Sequence, residues 1–413
     1  MPLPDCDRPT PKAAALERDG SARPGHPAQS LPAFRAMGVC LGAQIASIMP
    51  VFLLGALAPL IGADLGMTPF LLGAAVAVFY GASAIGSLFL APFADTSGVW
   101  RVTRLALGVV AIAGLMLTFA AYSVAVIFVV IFLSGLMNGC IQPTTNVIVS
   151  RFIPAGRQGL AYGLKQAAIP LSTMLGGVAV PVIGLTLGWR SAFLLSVLAA
   201  VIVLAMTPRQ RRPESLNSEG SNQRLENGIL LPMTVMMGLA AGASNAMAAF
   251  IASSITAVGH SAGSAGLVIA AGSLFCVIVR IGLGIAADRW HLPLLRMAGA
   301  LFLIGALAYL ILAFSESMAL ISLATLLAFG FGWGWAGLLL LAIGRASKGA
   351  IGASTGVTHA GVYVGGVLGP IAFGWIAQAH SFALAWQILA IVSILAAGLS
   401  LWVSAQLRRK AAT

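Results

Sequence analysis

Three stretches of this chain carry no Asp, Glu, Lys or Arg: residues 105–150, 227–279 and 349–407. They are 46, 53 and 59 residues long. A helix crosses the hydrocarbon core of a bilayer with about 20 apolar residues. Each stretch therefore holds roughly two crossings joined by a short uncharged loop. Charged residues make up only 8% of the chain, against about 25% in a soluble globular domain. That is too few to cover a water-facing surface, and the expected fold class is an all-α membrane protein.

Hydropathy and loop composition place twelve transmembrane helices near 36–60, 69–92, 102–121, 124–149, 159–185, 191–207, 229–256, 263–286, 294–314, 318–344, 351–377 and 384–407. Residues 208–228 are the one long internal stretch of loop composition, which predicts a linker between two six-helix bundles, 36–207 and 229–407. Residues 1–35 are rich in Pro, Ala and charge and read as a disordered tail; 408–413 form a short basic tail. The four cysteines, Cys6, Cys40, Cys140 and Cys276, follow no disulfide or metal spacing.

The net charge of +12 is spread through short loops, so it does not point to nucleic acid. Basic residues favour the cytoplasmic side of a membrane. With both termini cytoplasmic, 20 of the 23 Lys and Arg residues fall inside and Arg190 falls outside. The remaining two, Lys165 and Arg280, lie within helices. The opposite orientation reverses this bias and is rejected.

The two halves repeat. An offset of 193 pairs Asp95 with Asp288, Gly163 with Gly356, Ala167 with Ala360 and Gly176 with Gly369. Six helices per half means that the halves run in the same direction, a parallel repeat about an axis along the membrane normal.

Local motifs agree. Ala91-Pro-Phe-Ala-Asp95-Thr-Ser-Gly98-Val-Trp-Arg101 follows the second helix, and Gly284-Ile-Ala-Ala-Asp288-Arg289 follows the eighth. Gly188-Trp189-Arg190 precedes the sixth, and Gly365-Gly366-Val-Leu-Gly369-Pro370 lies in the eleventh. Together these resemble the major facilitator superfamily over residues 36–407. Departures are Ala91 and Thr96 in the first loop and the missing later Gly in the second. Gly163-Leu-Lys165-Gln166 is similar to wording in cyanate-permease-like and other organic-anion porters. The resemblance implies gating contacts in which Asp95 pairs with Arg151 or Arg157 and Asp288 with Arg345. It also implies that the fifth and eighth helices face one another across the domain interface.

None of the eleven acids falls in a predicted helix interior. The membrane region thus has two cations and no anion. A cation at the bilayer centre costs roughly 2.5–3.5 kcal/mol on insertion scales, so a role or a counter-charge is expected. Lys165 is eight residues into its helix and Arg280 eight residues from the end of its own, both about 12 Å from the inner helix ends at about 1.5 Å per residue. His359 sits at a similar level. An anionic solute held between Lys165 and Arg280 supplies the missing charge, with Arg suited to a planar carboxylate. Further candidate solute contacts are Gln142, Asn146, Tyr80, Ser273 and Tyr363. Asn138, Gln142 and Asn146 are spaced as one helical stripe, and Trp333 and Trp335 are candidates for an apolar wall. His359 is also the candidate proton carrier.

The expected function is secondary transport of a small organic anion, a mono- or dicarboxylate, by proton coupling or anion exchange. Partners are the solute, the lipid of a cell inner membrane and protons, with no nucleic acid. The chain is expected to work as a monomer. No cofactor and no ATP-binding loop is expected. Alternatives are an efflux pump for hydrophobic or cationic compounds and a transporter-like solute sensor.

Overall fold

Backbone N–H and C=O groups at membrane depth have no water to bond, so the apolar runs close their hydrogen bonds internally as helices. The computed structural model describes residues 33–154, 158–209, 227–290, 293–346 and 351–412. Twelve helices among them are long and apolar enough to cross a membrane. The first half holds α1 (Ala33–Ala56), α2 (Pro69–Leu90), α3 (Val99–Phe119), α4 (Val124–Phe152), α5 (Gln158–Ala179) and α6 (Trp189–Met206). The second holds α7 (Asn227–Ala257), α8 (Ala262–Trp290), α9 (Leu294–Phe314), α10 (Met318–Leu327 and Ala336–Ala346), α11 (Ile351–Ala379) and α12 (Phe382–Ala412).

Several ends differ from expectation. α1 begins at Ala33, so Arg35 stands in its first turn and donates from Nε to the Met206 carbonyl at 2.9 Å. α4 and α8 run on to Phe152 and Trp290, which puts Arg151 and Asp288 in last turns instead of loops. α12 continues to Ala412 through the basic residues read as a tail, a placement that the negative end of the helix dipole favours. α10 is interrupted by a π turn at Ala328–Gly332 and turns at 333–335.

The packing is asymmetric along the membrane normal. At the end away from the first turn of α1, one buried core joins both halves and includes Leu53, Phe79, Phe250 and Phe373. At the end bearing the first turn of α1 there are two separate cores. One holds Ala36, Trp100, Ile148 and Val203; the other holds Met236, Phe302, Leu339 and Val403. The halves therefore meet at one end and part at the other.

Small residues make the meeting possible. A Cβ on Gly177 of α5 would stand 2.5 Å from the Gly266 carbonyl of α8, and one on Gly73 of α2 would overlap the Pro370 carbonyl of α11. Within the second half, Gly365 and Gly369 of α11 lie against Gly238 and Gly242 of α7. Hydrogen bonds add to this seam: Phe70 N–H donates to Gln378 Oε1 at 3.1 Å, and Tyr80 O–H to Asn245 Oδ1 at 2.6 Å.

The connection before α6 is pinned by charge. Arg190 Nη1 lies 2.8 Å from Asp64 Oδ2, its Nε donates to the Ala121 carbonyl, and Trp189 Nε1 donates to the same carboxylate at 3.1 Å. Gly188, at φ 85°, makes the turn that brings both donors round. These hydrogen bonds, Trp189 first and Arg190 second, hold the Asp64 carboxyl below its ordinary range.

Two expectations follow. Gly365→Ala forces α11 and α7 apart and should cost about 1–3 kcal/mol, seen as a lower melting temperature. Gly356→Ala, with nothing near the added carbon, should leave it unlowered and slightly raised, because Ala favours a helix interior over Gly. A depressed carboxyl stabilises above its unfolded pKa of about 4, and this contribution disappears as pH falls through the lower folded value. Melting between pH 5 and pH 3 should therefore fall more steeply for wild type than for Asp64→Asn, by a small margin because the pair is partly exposed.

Candidate functional site

Where the halves part, a cavity of about 1100 Å³ opens toward the end bearing the first turn of α1 and the last turns of α12. α2, α4 and α5 of one half and α8, α10 and α11 of the other line it. Of the residues singled out from sequence, Lys165, Arg280, His359, Gln142, Asn146 and Tyr363 all line this space. Ser87, Gln166, Gly334 and Gly337 line it too. No Asp or Glu is among the described residues that line it.

Lys165 is 4% exposed. Its ammonium donates to the Gln142 carbonyl at 2.9 Å and to Asn146 Oδ1 at 2.5 Å. α4 thus holds the α5 cation by an amide and a main-chain oxygen. Arg280 is held likewise by oxygens that carry no charge. Its Nε and Nη2 converge on the Trp333 carbonyl at 3.3 and 2.7 Å, and its Nη1 donates to the Gln166 carbonyl at 2.7 Å. Its Cζ lies 5.7 Å from the centre of the Trp333 ring. The last hydrogen bond crosses from the second half to the first.

Two of the expected contacts lie elsewhere. Tyr80 and Ser273 stand two turns from the cavity residues Ser87 and Arg280, in the direction of the closed end, where the helices have already converged. Tyr80 is buried, bonded to Asn245 and packed on the Gly366 backbone. Ser273 Oγ is buried with no hydrogen-bond partner. The α4 stripe also divides. Four residues advance a helix by about 400°, so each step rotates by roughly 40°. Gln142 and Asn146 reach the cavity, while Asn138 turns inward. There its Oδ1 accepts from Gln44 Nε2 at 3.3 Å and Ser47 Oγ at 3.1 Å, and its Nδ2 donates to Ser83 Oγ at 3.2 Å. Trp333 and Trp335 are both buried away from the cavity; Trp333 contributes its carbonyl to Arg280, and Trp335 Nε1 donates to Ser244.

Of the gating residues, Arg151 is exposed in the last turn of α4. Arg157 and the side chains of Asp95, Asp288 and Arg345 lie outside the described residues. The carbonyls of Gln166 and Trp333 were not anticipated as partners of Arg280. Pro170, four residues after Gln166, is the signal in the sequence that marks that carbonyl as free of its helical partner.

Twelve spanning helices in two like halves around one central cavity define a secondary transporter that works by alternating access. The chain belongs to the Major Facilitator Superfamily: the family model matches residues 40–359. It is a transporter and not an enzyme. Its fold is similar to that of a bacterial homologue of the human lysosomal transporter Spinster, solved in an inward-facing and occupied conformation. The TM-score is 0.68 at 13% identity, over 90% of this chain and 96% of that one. No curated protein sequence matches.

Asn146→Leu removes one acceptor from the Lys165 ammonium and leaves a buried charge short of a hydrogen bond. The expected loss is about 1–3 kcal/mol of stability. Chemical denaturation in detergent measures it, and Lys165→Met in the same background should recover part of the loss.

Proposed function

We propose that the protein carries a small organic anion, a mono- or dicarboxylate, bound between Lys165 and Arg280. The supporting observation is the charge balance of the cavity: a buried ammonium and a guanidinium, one from each half, with uncharged oxygens as their partners and no acid among the described lining residues. A carboxylate offers each cation a charge-assisted hydrogen bond, roughly twice as strong as one to a neutral acceptor. Gln142, Asn146, His359 and Tyr363 complete the polar side of the site. Leu338, Leu341, Val364 and Leu368 form an apolar side, which suits a carboxylate with a short apolar body.

The cavity opens at the end where Lys and Arg concentrate. By the positive-inside bias that end faces the cytoplasm, and the conformation is inward-open. Localisation to a cell inner membrane, action as a monomer, and proton movement by His359 or on the solute itself belong to the same reading. Asp95, Asp288 and the arginines near them are its proposed gating groups.

A thermal-shift screen of purified protein against carboxylates, inorganic anions, amines and sugars tests the assignment. Carboxylates should raise the melting temperature, and Arg280→Ala and Lys165→Ala should each weaken the apparent Kd about tenfold or more, about 1.4 kcal/mol per decade. Stabilisation by amines or sugars alone, indifferent to both substitutions, would point to the rival efflux role.

A further inference from the structure

Arg280 is tied to both halves by main-chain oxygens that local breaks in the helices have released. The carbonyl of an interior helical residue is normally taken by the amide four residues on. For Gln166 that position is Pro170, which has no N–H to give. The Gln166 oxygen is thereby left facing the interface, and Arg280 Nη1 takes it at 2.7 Å. In the other half Trp333 ends the π turn of α10, in the turn region before the helix resumes at Ala336. Its oxygen accepts from Nε and Nη2. A guanidinium has five N–H donors. Three are used on these two oxygens, and one of the three spans the domain interface.

The position of this tie matters. α5 and α8 cross closely at Gly177 and Gly266, where an added Cβ on either would stand 2.5 Å from the other's carbonyl. Gln166 lies eleven residues from the crossing along α5 and Arg280 fourteen along α8, in the direction in which the halves part. That is roughly 16–21 Å at about 1.5 Å per residue. The long Arg280 side chain bridges the two helices beside the cavity.

We propose that the carbonyl freed by Pro170 is a built-in competitor for the solute. It and the solute compete for the Nη1 edge of Arg280 across the interface, and an anion that binds on that edge displaces it. This rests on the anion reading above. The exchange favours the anion because a charged acceptor outbids a neutral one. Each exchange also removes a hydrogen bond between the halves, so occupancy and the freedom of the halves to move are linked. Pro170 is on this account a positioning residue: it sets how firmly Arg280 is held, and through that the affinity of the site.

Pro170→Ala supplies the missing N–H, so the Gln166 oxygen is satisfied within α5. The test has two arms on purified full-length protein. In the first, without ligand, melting is compared for wild type, Pro170→Ala, Arg280→Gln and the double variant. Arg280→Gln should lower the melting temperature less in the Pro170→Ala background than in wild type; equal losses overturn the cross-domain bond and the proposal with it. In the second, benzoate and succinate are titrated by calorimetry. Pro170→Ala should tighten the better-bound of the two by about three- to tenfold, the worth of one net hydrogen bond, and Arg280→Gln should abolish the gain. A Kd unchanged or weakened by Pro170→Ala, with wild-type binding intact, overturns the competitor role alone. Coupling in the first arm with no binding of either carboxylate to wild type overturns the anion reading, and the competitor role falls with it. If Pro170→Ala does not fold, Pro170→Val, which supplies the same N–H, replaces it in both arms.

Discussion

Within a bilayer every backbone polar group must find its partner inside the protein. That constraint makes the chain helical throughout its apolar stretches, and it also explains the exceptions. Where Pro170 deletes a donor and where α10 loses its regular turn at Trp333, oxygens are released that lipid cannot satisfy. Both are taken by the guanidinium of Arg280. The cation and the helix breaks solve one another's problem: a charge that is costly at this depth meets acceptors that are costly to leave bare.

The same economy shapes Lys165, which rests on the Gln142 oxygen and the Asn146 amide. Among the described residues no carboxylate lines the cavity. Neutral oxygens solvate a cation without cancelling its charge. On the proposed reading the cavity keeps a positive charge that a fixed Asp or Glu would remove. The proposed preference for anions depends on that difference.

The fold was largely legible because the signals behind it are local and strong. Charge-free runs near the length of two crossings, basic loops and a constant offset of 193 between halves each follow from the membrane environment or from duplication. Helix ends were less so: Arg35, Asp288 and the basic residues after Leu407 lie in helical turns because a helix may extend beyond the hydrocarbon, where hydropathy no longer reports it. In the candidate site, the charged and strongly polar residues near the open end came together. Tyr80 and Ser273, two turns deeper, did not, because hydropathy and spacing say nothing about where two converging bundles close.

The amino-acid sequence alone pointed to twelve membrane-spanning helices in two like halves, and to two cations within predicted helices that hold no acid in their interiors. Burial in lipid and gene-level repetition leave marks on every segment independently. Only the tertiary structure decided that Lys165 and Arg280 share one cavity, that its closed end is sealed by Gly177 against Gly266 and Tyr80 against Gly366, and that Arg280 reaches across to the Gln166 oxygen. Those facts depend on how far two rigid bundles tilt apart. That angle is set by the sum of many interhelical contacts and is written in no single stretch of the chain.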